Sequence, residues 1–241
     1  MQISFKNDGF FIVTPPRSGT HMLVDSISFM FKRHSVRFTR YDKNFWEDPT
    51  VQRKDSVIGI HCKQDDSKLL EFAQKRKIIT AERHPIGQAL SILAMYKRGA
   101  IPDWQSNNKY DVKKLIECSP NSDHFVKFIL SEQFMEFRSI TTQWSKYGMC
   151  VSFDKILQKD EKEYSKIKNY LGIDFIPKSI DKVKNKYSDG VIFLGDPDLW
   201  RGVISQDIAD DIAKIFPEYD MTTYNNSYSD GNWIFDNALK I

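Results

Sequence analysis

Arg17, Ser18, Gly19 and Thr20 follow Pro15-Pro16 in unbroken succession and bring together residue types that bind an oxyanion. A guanidinium forks onto phosphate or sulfate oxygens, two hydroxyls donate hydrogen bonds, and glycine lets the backbone come close to a ligand. The plain alternative is a strand-to-helix turn with a helix cap. The run is not a Walker A loop, because no glycine stands five residues before Gly19 and no lysine follows it. An ordinary magnesium–ATP enzyme is thereby disfavoured. His61 is the second group of interest, since an imidazole exchanges a proton near neutrality. A histidine that only caps the turn after its strand is the alternative there.

These groups need elements to hold them. Phe10-Phe11-Ile12-Val13 predicts a central strand covered on both faces, and Leu23, Ile27, Met30 and Phe31 recur at helical spacing after the loop. Ser56 to Ile60 predicts another buried strand that ends at His61, followed by a helix bearing Leu69, Leu70 and Phe72. Ile78 to Ala81 and Met149 to Phe153 read as strands, as does Val36 to Tyr41. Pro85 stands at the first position of a helix with Ile86, Leu90 and Leu93. Strands alternating with amphipathic helices predict an α/β fold: a central parallel sheet flanked by helices. Ligands of such sheets bind beyond the carboxyl ends of the strands.

Two stretches break the rhythm. Residues of about 96–146 hold a turn-rich segment (99–108) and then a long helix, roughly Asp123 to Lys146, and read as an inserted helical cap over an acceptor site. Lys184 to Gly202 reads as a long loop, after which Ser205 caps a helix with Ile208, Ile212, Ile215 and Phe216 on one face. No composition shift marks a boundary, so 1–241 is expected to be a single domain.

Composition narrows the function classes. A formal net charge of +3 on 241 residues gives no argument for nucleic acid. Three widely spaced cysteines form no zinc pattern, which suggests reduced thiols in a cytoplasmic setting, and no metal is expected. The first apolar run is too short for a bilayer, so no membrane partner is expected.

Phe11 to Leu23, with Pro16-Arg17-Ser18-Gly19-Thr20 at its centre, resembles the 5′-phosphosulfate loop of sulfotransferases that use 3′-phosphoadenosine 5′-phosphosulfate (PAPS). Further pieces follow in that family's order. Ile78 to Pro85 with Ser91, eight residues after Arg83, resembles the 3′-phosphate motif; Val151 to Leu157 and Gly195 through Trp200-Arg201 are similar to later segments. The resemblance implies a P-loop-like sulfotransferase fold and transfer of a sulfuryl group from PAPS, as co-substrate, to a hydroxyl or amine, releasing 3′-phosphoadenosine 5′-phosphate (PAP). It implies that Arg17, Ser18, Gly19, Thr20 and His21 meet the 5′ end of the nucleotide, with Arg17 also steadying charge on the moving group. Arg83 and Ser91 would hold the 3′-phosphate. His61 would be the base, ahead of His21, Glu82 and Asp65. The family's RKG tripeptide has no clear match, and Arg201 is favoured over Lys184 and Lys186 for its contact. Trp46 and Phe153 are the residues considered for stacking on adenine.

Two other readings stay open: a P-loop-like kinase, and a non-catalytic nucleotide-binding module. The acceptor is expected to be a small molecule or a glycan. Lys97, Arg98, Lys109, Lys113 and Lys114 would suit an anionic one such as a glycan, although a solvated face is the preferred explanation.

Overall fold

The computed structural model describes residues 9–38, 41–97, 115, 117–173 and 197–224. Its strands are Phe10–Val13 (β1), Ser35–Phe38 (β2), Val57–Ile60 (β3), Lys77–Glu82 (β4) and Met149–Ser152 (β5). They form one five-stranded sheet in the order β2-β3-β1-β4-β5, with every neighbouring pair parallel. The fold class is therefore α/β with a central parallel sheet, as the alternating pattern predicts. The chain leaves β1 toward β2, and leaves the adjacent β4 toward β5. That divergence makes the carboxyl ends of β1 and β4 the switch point at which such sheets place ligands.

Two compact units divide the chain: Met1–Glu82 with Arg138–Lys186, and Arg83–Phe137 with Tyr187–Ile241. The first unit holds the sheet. One face packs Phe11, Val13, Ile58, Ile60 and Ile78 against helical residues including Leu69, Ala73, Ile140 and Trp144. Each of the Val, Leu, Ile and Phe side chains among them contributes about 1.5–3 kcal/mol when fully buried. The other face receives α1 (Thr20–Phe31), and Gly59 of β3 is what lets it in. A Cβ at Gly59 would stand 2.5 Å from Val24 Cγ2 and 3.3 Å from Thr20 Cγ2. Gly59→Ala is accordingly expected to cost about 1–3 kcal/mol by overpacking, read as a lower urea midpoint with unchanged slope.

The second unit is built on a helix, Pro85–Lys97, with Pro85 at its first position as expected. This helix is buried on nearly every face, which explains why its apolar residues are not confined to one stripe. It shares a core with Phe125, Phe128, Trp200, Ile204, Ile212 and Met221. His84 stacks on Trp200, with ring centroids 4.2 Å apart and planes 11° apart.

Several local expectations change. The long helix expected over Asp123 to Lys146 is two helices, Asp123–Ile129 and Glu132–Trp144. Ser131 breaks it: its hydroxyl donates to the Phe128 carbonyl at 2.6 Å and accepts from the Phe134 amide at 3.3 Å, competing with the helical ladder. Phe153 begins a helix (Phe153–Leu157) instead of ending β5. Ser205 precedes the helix Gln206–Ala213, yet its hydroxyl makes no capping bond; its amide donates to Asn121 Oδ1 at 2.8 Å. Ile215 is 48% exposed, so it does not share the buried face of Ile212. The turn-rich segment 99–108 and residues 184–196 of the expected loop lie outside the described residues, whereas Leu199–Gly202 form a 3₁₀ turn.

Candidate functional site

Beyond Val13 the β1–β3 ladder continues for one residue, with the Thr14 amide donating to the Ile60 carbonyl at 3.2 Å. The chain then turns sharply. Arg17 has φ 64° and Gly19 φ 87°, both left-handed, and the Ser18 amide closes onto the Pro15 carbonyl at 3.2 Å. A left-handed arginine costs about 1–2 kcal/mol, and such strain gathers at functional loops. Left-handed residues in a turn curl backbone N–H groups toward one side, which is the geometry of anion nests.

The helix behind this loop starts open. Gly19 occupies the cap position of α1, and the first helical bond runs from the Leu23 amide to the Gly19 carbonyl at 2.9 Å. The amides of Thr20, His21 and Met22 precede it, and the first turn carries no acidic residue. Elsewhere Asp42, Asp48, Asp66, Ser122 and Asp160 cap helices with their own side chains. The helices Phe153–Leu157 and Gln206–Ala213 also lack a side-chain cap, but each has an aspartate in its first turn, whereas α1 has neither cap nor carboxylate at the positive end of its dipole. Ser18 is fully buried, and its hydroxyl has no hydrogen-bond partner among the described residues. Such an orphan costs about 1–3 kcal/mol unless a ligand accepts from it. The Thr20 hydroxyl, in contrast, is bonded to that of Thr14, which itself donates to the Pro15 carbonyl. Thr20 therefore spends its proton inside the protein.

His61 follows β3 and is half-buried. Its Nδ1 lies 2.7 Å from the Thr14 carbonyl. A carbonyl only accepts, so Nδ1 carries the proton and Nε2 holds the lone pair. Burial lowers the His61 pKa below the ordinary 6.5, with the Arg17 charge acting the same way against the raising effect of the Thr14 bond. The ring is neutral at pH 7 and able to take a proton at Nε2. His21 is lowered as well, to about 4, by desolvation first and then by Arg37, His61 and Arg17, while Asp25 opposes. The neighbouring Cys62 thiol is pushed up by burial, with Asp65 second, and stays protonated.

Arg17, Ser18, Gly19, Thr20, His21 and His61 thus belong to one unit and lie around the ends of β1 and β3. Arg83, Ser91 and Arg201 belong to the other. Arg83 and Ser91 are 4% and 2% exposed, and a Cβ at Gly87 would stand 3.6 Å from Arg83 Nε. Arg201 donates from Nε to Asp198 (3.0 Å), from Nη2 to Asp220 (2.9 Å) and from Nη1 to the Thr222 carbonyl. A phosphate contact from Arg201 would compete with both carboxylates. Lys184, Lys186 and Gly195 lie outside the described residues. Glu82 ends β4, exposed, and Asp65 is exposed. Neither aromatic considered for adenine is idle: Phe153 covers Gly19, while Trp46 packs on Phe45 and Phe72 and donates to Tyr41 at 2.8 Å. Among the described residues no cluster of three or more His, Cys, Asp and Glu is arranged for a metal ion, and no helix is long and apolar enough to cross a membrane.

The part of Thr14, and the cover that Phe153 gives to Gly19, escape a reading of local pattern. Thr14 matters through its carbonyl, which every residue has, and Phe153 reaches the loop only through the tertiary fold.

No family profile and no curated protein matches the chain. Similar solved structures include the mouse sulfotransferase SULT7A1 complexed with PAP, at TM-score 0.48 and 19% identity over 77% of this chain. This chain spans 66% of that one, slightly under two thirds of its length. The sulfotransferase domain from the curacin biosynthetic pathway is similar at TM-score 0.40 and 12% identity, covering 97% of this chain and 98% of that one.

Proposed function

We propose that the chain is a PAPS-dependent sulfotransferase in which the Arg17–Thr20 loop receives the phosphosulfate end of the donor and His61 serves the acceptor. One observation carries this reading: an uncapped helix start behind a left-handed anion loop, in the same unit as a neutral imidazole whose protonated nitrogen is already engaged. The buried Ser18 hydroxyl fits an anionic group that accepts from it. PAPS supplies an activated sulfuryl group. Arg17 adds a fixed positive charge beside the loop, and the Thr20 to Met22 amides add oriented dipoles. His61 takes the proton of a hydroxyl or amine at Nε2, while its Nδ1–H keeps hold of Thr14. Arg83 and Ser91 are assigned to the 3′-phosphate within the same proposal. None of these roles uses a metal.

A thermal-shift series tests the reading. PAP at 100 times its Kd is expected to stabilise the chain by about 2.7 kcal/mol, and magnesium–ATP to leave it unchanged. Labelled PAPS should then pass its label to a component of a broad acceptor pool. Stabilisation by magnesium–ATP alone would replace this reading with a kinase, and PAP binding without label transfer would replace it with a binding module.

A further inference from the structure

Turnover in the proposed reaction needs the His61 ring held in the form that presents an unprotonated Nε2. In water a neutral imidazole prefers the opposite tautomer, with the proton on Nε2, so the Nδ1–H form must be imposed by its surroundings. The Thr14 carbonyl imposes it from one side. That bond lasts only while the backbone after β3 keeps its path, and residues 61–63 belong to no strand or helix.

The path is held by the helix Glu132–Trp144, through the part that belongs to the first unit. Fully buried Trp144 donates its indole N–H to the Cys62 carbonyl at 3.0 Å, and its ring packs 5.4 Å from that of Phe11 in β1. Gln143 accepts the Gln64 amide at 2.8 Å through Oε1. One turn earlier, Thr141 donates to the Ala81 carbonyl in β4 at 2.7 Å. Three side chains of one helix thus bind the backbone where β3 and β4 end, and two of those bonds hold Cys62 and Gln64, the first and third residues after His61. These bonds satisfy polar groups at the strand ends and at the same time tie the helix to the backbone that follows His61.

We infer that Gln143 and Trp144 are positioning residues for His61: they fix the backbone after β3 so that the Thr14 carbonyl can hold the ring as the Nδ1–H tautomer. The inference rests on the proposed role of His61, and it adds the residues that make that role possible. Gln143 is the better probe because it is half-buried and its replacement leaves the core intact.

The experiment compares the wild-type 241-residue chain with Gln143→Leu, Gln143→Glu and Trp144→Phe. Nitrogen-15 NMR of the imidazole above pH 6.5 reads the tautomer, titration with PAP reads binding, and label transfer reads turnover. Gln143→Leu is expected to mix the tautomers and slow turnover by about 10- to 100-fold, the scale of a misplaced reacting group, with PAP affinity within about two-fold. Gln143→Glu keeps an acceptor for the Gln64 amide and should restore both the single tautomer and most of the turnover. Trp144→Phe, which keeps an aromatic ring but loses the donor, should behave like Gln143→Leu. Wild-type tautomer and turnover in both Gln143→Leu and Trp144→Phe would overturn the inference. So would a loss in Gln143→Leu that Gln143→Glu does not restore. A wild-type chain that transfers no sulfuryl group would sink the functional reading alone, because the ring signals still decide the positioning claim.

Discussion

His61→Ala is expected to lower turnover by about 10²- to 10⁴-fold, the usual weight of a general base, while PAP affinity stays within a few-fold. The split follows from the placement of the ring. His61 contacts the loop through the Thr14 carbonyl, which makes no demand on the nucleotide, and its charge is absent at pH 7. The pH dependence has a definite sign. Burial depresses the folded pKa below 6.5, so the neutral, proton-accepting form persists as the pH falls through that value. Turnover is therefore expected to stay level from about pH 8 down to 6.5 and to decline only below it. A profile that already declines with an apparent pKa near 7 or above would exclude a buried neutral His61 as the base. Unchanged turnover in His61→Ala would exclude it as a base of any kind.

Gly19→Ala is expected to damage both stability and nucleotide binding. At φ 87° an alanine is strained by about 1–2 kcal/mol whatever space surrounds it. Space is also lacking, because the new methyl group would enter the Phe153 ring, and such overpacking costs about 1–3 kcal/mol more. Urea unfolding should show the combined loss, and PAP affinity should fall by about 10-fold or more as the loop backbone shifts. Adding Phe153→Ala separates the two causes. The double variant should lose less stability than the single losses added together, since the clash disappears while the backbone strain stays. Strict additivity would mean that Phe153 does not cover Gly19. Full PAP affinity in Gly19→Ala would remove the loop from the binding site.

How much of this is legible beforehand depends on range. The strand Phe10–Val13, the turn after it and the helix from Thr20 are contiguous, and their signals are local: a short apolar run, Pro and Gly in succession, then helical spacing. The same holds for His61 at the end of Val57–Ile60 and for Pro85 at a helix start. The break at Ser131 is nearly local, yet it hides inside a continuous helical pattern because serine fits a helix interior or a cap equally well. Short helices such as Lys43–Glu47 and Pro49–Gln52, each opened by an aspartate, are too brief to show a periodicity of their own.

The residues of the proposed anion loop and of the candidate base are determined by the sequence itself, since guanidinium, hydroxyl, glycine and imidazole carry their chemistry wherever the chain places them. Their states are not. Only the tertiary structure decides that His61 is neutral with its proton on Nδ1, because the Thr14 carbonyl stands 47 residues away in the chain and 2.7 Å away in space. It also decides that Thr20 turns its hydroxyl inward while Ser18 keeps a buried one to offer, and that Arg201 is already held by two aspartates. Burial and hydrogen bonding to distant backbone set protonation and donor availability, and neither is encoded by residue type or spacing along the chain.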